Sequence, residues 1–271
     1  FFMVPSAQWG FASSPVIHDG KVIVQVDVQK DSFVAALDVA TGEEIWRTPR
    51  EEVPTWSSPA IVPYTGGEEP SLQVVVNGWK HIGGYDLETG QELWKLEGGG
   101  DIPVPTPVVW EDLVFLTSAH GVPAPVYAVK LDAEGDITGT EPGAEASPLA
   151  WKDIKYGAYM QTPLAYRGLL YVCRDNGVLS AYEARTGELA FRERIQAGVG
   201  FTASMVAADG RIYATAETGD VFVLEAGNEY RVLARNELGE ESLSSPAIVD
   251  GVLYFRTRRH LMAIGKAVSA R

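Results

Sequence analysis

Apolar positions in this chain fall in short runs, about four to six residues each, that alternate with polar positions and are cut by turn residues. Asp19-Gly20 leads into the run 21–24, Arg167-Gly168 into 169–172, Asp209-Gly210 into 211–214 and Asp250-Gly251 into 252–255. Asp-Gly between two such runs predicts a two-residue hairpin turn, because both central residues of a primed turn need positive φ. No window carries a sustained apolar stripe at 3.6-residue spacing, so the pattern predicts strands and little helix.

The runs recur as a unit. Ser/Thr-Pro followed by an apolar stretch opens it at Ser14-Pro15, Ser58-Pro59, Thr106-Pro107, Thr162-Pro163 and Ser245-Pro246, and a degenerate copy, Ala203-Ser204-Met205-Val206, fills the gap. Neighbouring starts lie about 46 residues apart on average. Each unit continues through a hairpin turn, a second run, and a third run that in three copies closes on Thr-Gly (Thr41-Gly42, Thr89-Gly90, Thr186-Gly187); a short fourth run follows, holding Trp46, Trp94 or Phe191 in those copies. Four short antiparallel strands per unit at this period are the mark of propeller blades. A blade cannot bury both of its faces alone, so blades pack side by side. The expected fold class is therefore all-β: a β-propeller of four-stranded antiparallel blades with six blade starts. The third unit is stretched, and its acidic, Gly/Pro-rich segment 132–145 is expected to be a solvated loop. The sixth unit ends after 261–264 without a fourth run.

Composition narrows the partners. The 271 residues carry 22 Lys+Arg against 36 Asp+Glu, a net charge of −14, which argues against nucleic acid or anionic lipid because both need basic residues to displace counterions. An apolar fraction of 46% excludes disorder, and no run approaches the roughly 18 residues of a membrane span. Cys173 is the one cysteine, so no intrachain disulfide forms.

Asp-x-x-Thr-Gly-x-x-x-Trp at 38–46 and 86–94, with Ser-Pro-x-x-x-Asp-Gly one hairpin earlier in the first copy, resembles the pyrroloquinoline-quinone (PQQ) type propeller repeat. That family spans quinoprotein alcohol dehydrogenases and BamB-like outer-membrane assembly lipoproteins. The resemblance covers essentially the whole chain, 1–271, as a single PQQ-like propeller domain. It implies that Trp46, Trp94, Trp151 and Phe191 dock each blade on the next. It also implies an eight-bladed ring of which this chain, opening Phe1-Phe2-Met3, is an N-terminally incomplete part. Contact between residues 1–4 and the strand ending at Ile264 would instead close a six-bladed ring.

In the quinoprotein branch the resemblance implies PQQ over a Trp, a pair of adjacent cysteines, Ca²⁺ and an Asp base. Cys173 alone cannot form that pair, and the acidic turns 174–177 and 217–220 stand where hairpin turns belong. No cofactor is expected; PQQ and calcium belong only to an alternative reading as a quinoprotein dehydrogenase with an incomplete site. His18, His81, His120 and His260 lack metal-ligand spacing. A serine that recurs in every blade reads as structural, and the basic run 256–260 as a solvated turn.

Positions that vary against the repeat are the better candidates. Those entering each first strand include Phe11, Trp56, Tyr159, Met160, Gln161 and Phe201, with Gln8 and Trp9 nearby. They are expected to ring a channel mouth that grips a peptide or small ligand, the alternative being ordinary core. The expected function is a non-catalytic scaffold, BamB-like, binding a protein or peptide partner in the cell envelope, periplasmic or secreted.

Overall fold

The computed structural model of the chain describes residues 9–144 and 146–265. The described residues are strand, turn and coil without a helix. The first sheet joins β1 (Val16–His18), β2 (Lys21–Val26), β3 (Ser32–Asp38) and β4 (Glu44–Arg50); the second joins β5 (Ala60–Tyr64), β6 (Ser71–Val76), β7 (Ile82–Asp86) and β8 (Glu92–Leu96). The third holds β9 (Val108–Trp110), β10 (Leu113–Thr117), β11 (Val126–Lys130) and, after the two-residue β12 (Gly135–Asp136), β13 (Leu149–Asp153). The fourth holds β14 (Leu164–Tyr166), β15 (Leu169–Cys173), β16 (Val178–Glu183) and β17 (Leu189–Arg194). The fifth holds β18 (Val206–Ala208), β19 (Arg211–Thr215), β20 (Asp220–Glu225) and β21 (Val232–Glu237), and the sixth β22 (Ala247–Val249), β23 (Val252–Arg256) and β24 (Leu261–Ile264).

Apart from β12, each sheet is an antiparallel meander in chain order, the expected propeller blade. The turn chemistry is as expected: Asp19, Arg167, Asp209 and Asp250, each followed by glycine, have φ between 42° and 53°, and their glycines lie near 75°. The Thr-Gly turns are fixed by aspartate. Asp38 Oδ1 accepts from the N–H groups of Ala40 and Thr41 and from the Thr41 hydroxyl, and Asp86 repeats the pattern on Glu88 and Thr89. These bonds, led by the Thr41 N–H, hold the Asp38 carboxyl below its ordinary value.

Contacts divide the chain into two compact units: one of residues up to Tyr159 together with Arg185–Gly187, the other of Met160–Ala184 and residues from Glu188 onward. In the first, Ile23, Val34, Val74, Tyr85 and Leu87 pack with Trp46, and Trp94, Val114, Val129 and Leu149 form a further cluster. In the second, Tyr171, Leu179, Phe201, Ile212 and Phe222 form the core.

Tryptophans bind neighbouring blades as the resemblance implies. Trp46 donates its indole N–H to the Leu87 carbonyl at 3.0 Å and lies against Gly90, where a Cβ would meet the ring at 2.5 Å. Trp151 covers Gly187 at the same 2.5 Å. Trp94 also packs its ring among third-sheet side chains, although its indole donates to Gln73 of its own sheet at 2.8 Å.

Two sequence expectations change. The segment 132–145 is no simple solvated loop: β12 adds a parallel strand to the outer edge of β8, Ile137 N–H donates to the Lys95 carbonyl at 2.9 Å, and Ala133 and Ile137 are buried. The fifth unit opens one residue later than expected, at Ser204-Met205-Val206, because Val206 faces Tyr213 as Val16 faces Ile23. Residues 1–4 lie outside the described residues, and with them the expected ring-closing contact.

Candidate functional site

The recurring Ser/Thr is a lacing element. Ser14 N–H donates to Ser58 Oγ, Thr162 N–H to Ser204 Oγ and Ser204 N–H to Ser245 Oγ, each at 2.9 Å. Each of these bonds ties the start of one first strand to the next, which is why the hydroxyl survives in the fifth unit where proline does not. Within each unit the first strands also touch, β1 with β5, and β18 with both β14 and β22.

The corrected register explains where the candidate residues fall. Three residues before the Ser/Thr stand Phe11, Thr55, Pro103, Tyr159, Phe201 and Ser242; two before it stand Ala12, Trp56, Val104, Met160, Thr202 and Leu243. In an extended segment a shift of one residue exchanges faces. The former set is buried in four of six copies, and Phe201 belongs to it: 1% exposed, packed on Phe222 at 6.1 Å and against Gly177. Gln161 is also buried and donates its amide to the Phe201 carbonyl, so these two candidates meet inside the second unit as packing. Met160 is half-buried there.

In the first unit two of the candidate aromatics are open. Trp9 is 59% and Phe11 37% exposed, while Trp56 is buried beneath Trp9, their rings edge-to-face at 5.4 Å, with the Trp56 indole donating to the Gly10 carbonyl at 2.9 Å. Tyr159 is half-buried and packs with its ring tilted against His120 at 5.0 Å, and His120 faces Asp101 at 3.5 Å. Gln8 lies outside the described residues.

One polar cluster escaped the sequence reading. Arg50 and Asp27, both buried, pair at 2.9 Å; Arg50 also donates to the Tyr85 hydroxyl at 2.8 Å and to the His81 carbonyl. Burial works against the Arg50 charge, but Asp27 and then Tyr85 outweigh it and raise its pKa. The Tyr85 hydroxyl donates to Glu92 at 3.1 Å, and His81 Nε2 meets the same carboxylate oxygen. Burial pushes the Glu92 carboxyl up, and the His81 contact overrides it and leaves the pKa low. The signal was the spacing of His81 and Tyr85, two residues of matching parity around one strand, opposite Glu92 on the next.

The cofactor candidates are engaged otherwise. Cys173 is buried, its Sγ faces the Arg174 carbonyl at 3.5 Å, and burial pushes its thiol up to about 12. Turn 174–177 closes on its own backbone, and Asp220 accepts from Arg235 at 3.0 Å and from Thr218 at 2.8 Å. Among the described residues no three His, Cys, Asp or Glu gather in a metal-holding arrangement. These residues do not fit a Ca²⁺–PQQ site, which needs six to eight oxygens around the ion.

A family described as outer membrane protein assembly factor BamB matches residues 6–193 and 174–268. A curated relative, the outer membrane protein assembly factor BamB of Yersinia pestis, is 25% identical over 226 residues, 78% of this chain and 53% of its own length. The chain thus spans about half of that relative. Among solved structures, BamB from Moraxella catarrhalis superposes with a TM-score of 0.63 at 14% identity, over 90% of this chain and 68% of that one. Quinohemoprotein alcohol dehydrogenase from Comamonas testosteroni does so with 0.58 at 15%, over 92% and 52%. Likeness at these identities shows the shared PQQ-type propeller fold.

Proposed function

The chain belongs to the family of outer membrane protein assembly factor BamB, and on that premise we propose that it is a non-catalytic propeller scaffold, periplasmic or secreted, that binds a protein partner of outer-membrane assembly. Its mechanism is presentation: hairpins laced at their first strands hold a binding surface in fixed geometry, so little ordering entropy is lost on contact. The observation that carries this reading is exposed Trp9 set edge-to-face on buried Trp56, with exposed Phe11 two residues further along the chain. An aromatic anchor supported from beneath is the usual centre of a protein contact. Among the described residues no helix is long and apolar enough to cross a membrane.

Replacing Trp9 and Phe11 with alanine is expected to leave the thermal midpoint nearly unchanged and to weaken capture of a purified assembly partner at least tenfold. Retained capture by the folded double variant would remove this surface from the reading. The dehydrogenase alternative gains no support from Cys173 or the acidic turns. Titrating PQQ with Ca²⁺ is expected to give no saturable absorbance change; a saturable change at micromolar PQQ would restore the enzyme.

A further inference from the structure

A cleft of about 840 Å³ opens on the first unit where the chain leaving β4, the β6–β7 loop and β8 come together. Its wall includes Glu51, Trp79, Lys80, Glu92 and Glu97. The loop bearing Trp79 has no slack. Gly99 N–H donates to the Trp79 carbonyl at 2.8 Å, and the N–H groups of Lys80 and His81 donate to the buried Glu52 carboxylate at 3.0 and 2.7 Å. Gly78 lies so close to Glu52 and the His81 carbonyl that any Cβ would overlap both. Despite this clamping, Trp79 stands 37% exposed. A rigid backbone that holds an indole out in solvent makes a preformed platform, with little ordering left to do on binding.

Carboxylates outnumber cations around the platform: Glu51, Glu52, Glu92 and Glu97 stand against Lys80 and Lys95. Glu51 and Glu97 make no side-chain hydrogen bond or ion pair among the described residues, and Glu92 commits only Oε1, to His81 and Tyr85. Of the two lysines in the wall, Lys95 pairs with Asp136 at 3.1 Å and interacts more weakly with Glu97 and Glu92, and Lys80 still leaves the carboxylates in the majority. An aromatic face rimmed by Glu51 and Glu97, with the second oxygen of Glu92 beside them, suits a guanidinium or ammonium group, the planar guanidinium best, since it stacks and pairs at once.

We propose that this cleft binds an extended basic peptide segment, with an arginine or lysine side chain stacked on Trp79 and its charge met by Glu51, Glu92 and Glu97. The proposal rests on the protein-binding reading above only in taking a peptide as the occupant. Its residues are separate from Trp9 and Phe11.

The test titrates the 271-residue chain with fluorescein-labelled tetra-arginine amide at physiological salt, with tetra-glutamate and spermidine as comparisons. Saturable binding of tetra-arginine is expected, weakened tenfold or more by Trp79→Ala. Glu97→Gln should weaken it several-fold while Glu68→Gln, the same charge change on an exposed turn elsewhere in the unit, leaves it within twofold. Equal affinity of folded Trp79→Ala and the unaltered chain would reduce the effect to general attraction by a −14 molecule and overturn the site. If Trp79→Ala does not fold, equal effects of Glu97→Gln and Glu68→Gln overturn it. Spermidine binding as tightly as the peptide would overturn the peptide assignment. The aromatic-surface reading is scored by partner capture with the Trp9 and Phe11 double variant and this one by the peptide titration, so failure of either is read separately.

Discussion

Gly42 and Gly90 stand at the same place in the repeat, both with φ near +73°, but their surroundings differ. Beside Gly90 lies the Trp46 ring; beside Gly42 a Cβ would meet nothing within 4 Å. Gly42→Ala is expected to cost the left-handed penalty alone, about 1–2 kcal/mol. Gly90→Ala adds overpacking of roughly 1–3 kcal/mol against the indole. Urea unfolding followed by tryptophan fluorescence measures both, and equal losses would show that the ring yields freely. The Thr-Gly motif and its Trp were legible as a motif, but which glycine lies under which ring was not. The Phe201 position shows the same limit. A one-residue error in aligning the fifth unit moved it from the buried face to the open one, and only the Val206–Tyr213 pairing corrects it.

At the scale of elements, β12 is the least legible feature. Acidic residues, glycine and proline made 132–145 read as loop, while the buried Ala133 and Ile137 within it carried the contrary signal. Its anchor is electrostatic as well. The Thr138 hydroxyl and N–H, with Lys95, hold the Asp136 carboxyl down to about 2 against an ordinary 3.8. A carboxyl depressed in the folded state contributes stability that is full above 3.8 and fades as pH falls through about 2. The Ile137 amide resonance, whose N–H meets the Lys95 carbonyl, should therefore shift between pH 4 and pH 2, and Asp136→Asn should flatten that shift. An unaltered titration in the variant would assign the change to other carboxyls.

At the scale of the molecule, the two units carry separate reporters. All 7 tryptophans precede residue 152 and so belong to the first unit, while Cys173 sits in the core of the second. Repeat arrays derive stability from each repeat and its neighbours, so all-or-none unfolding is not assured. With distinct core clusters in the two units, urea midpoints from tryptophan fluorescence and from Cys173 thiol labelling are expected to differ. Coincident midpoints would show one cooperative body. The raised thiol pKa predicts negligible labelling before unfolding.

The sequence by itself determined the strands, the hairpin turns, the blade period and the family, because these rest on local rules that recur along the chain: positive φ at Asp-Gly, alternation along a strand, one hydroxyl per start. Tertiary structure alone decided which variable residues reach solvent, how Arg50, Tyr85, His81 and Glu92 join, and where Trp79 stands. Those outcomes depend on contacts between residues tens of positions apart, whose register and packing no local pattern encodes.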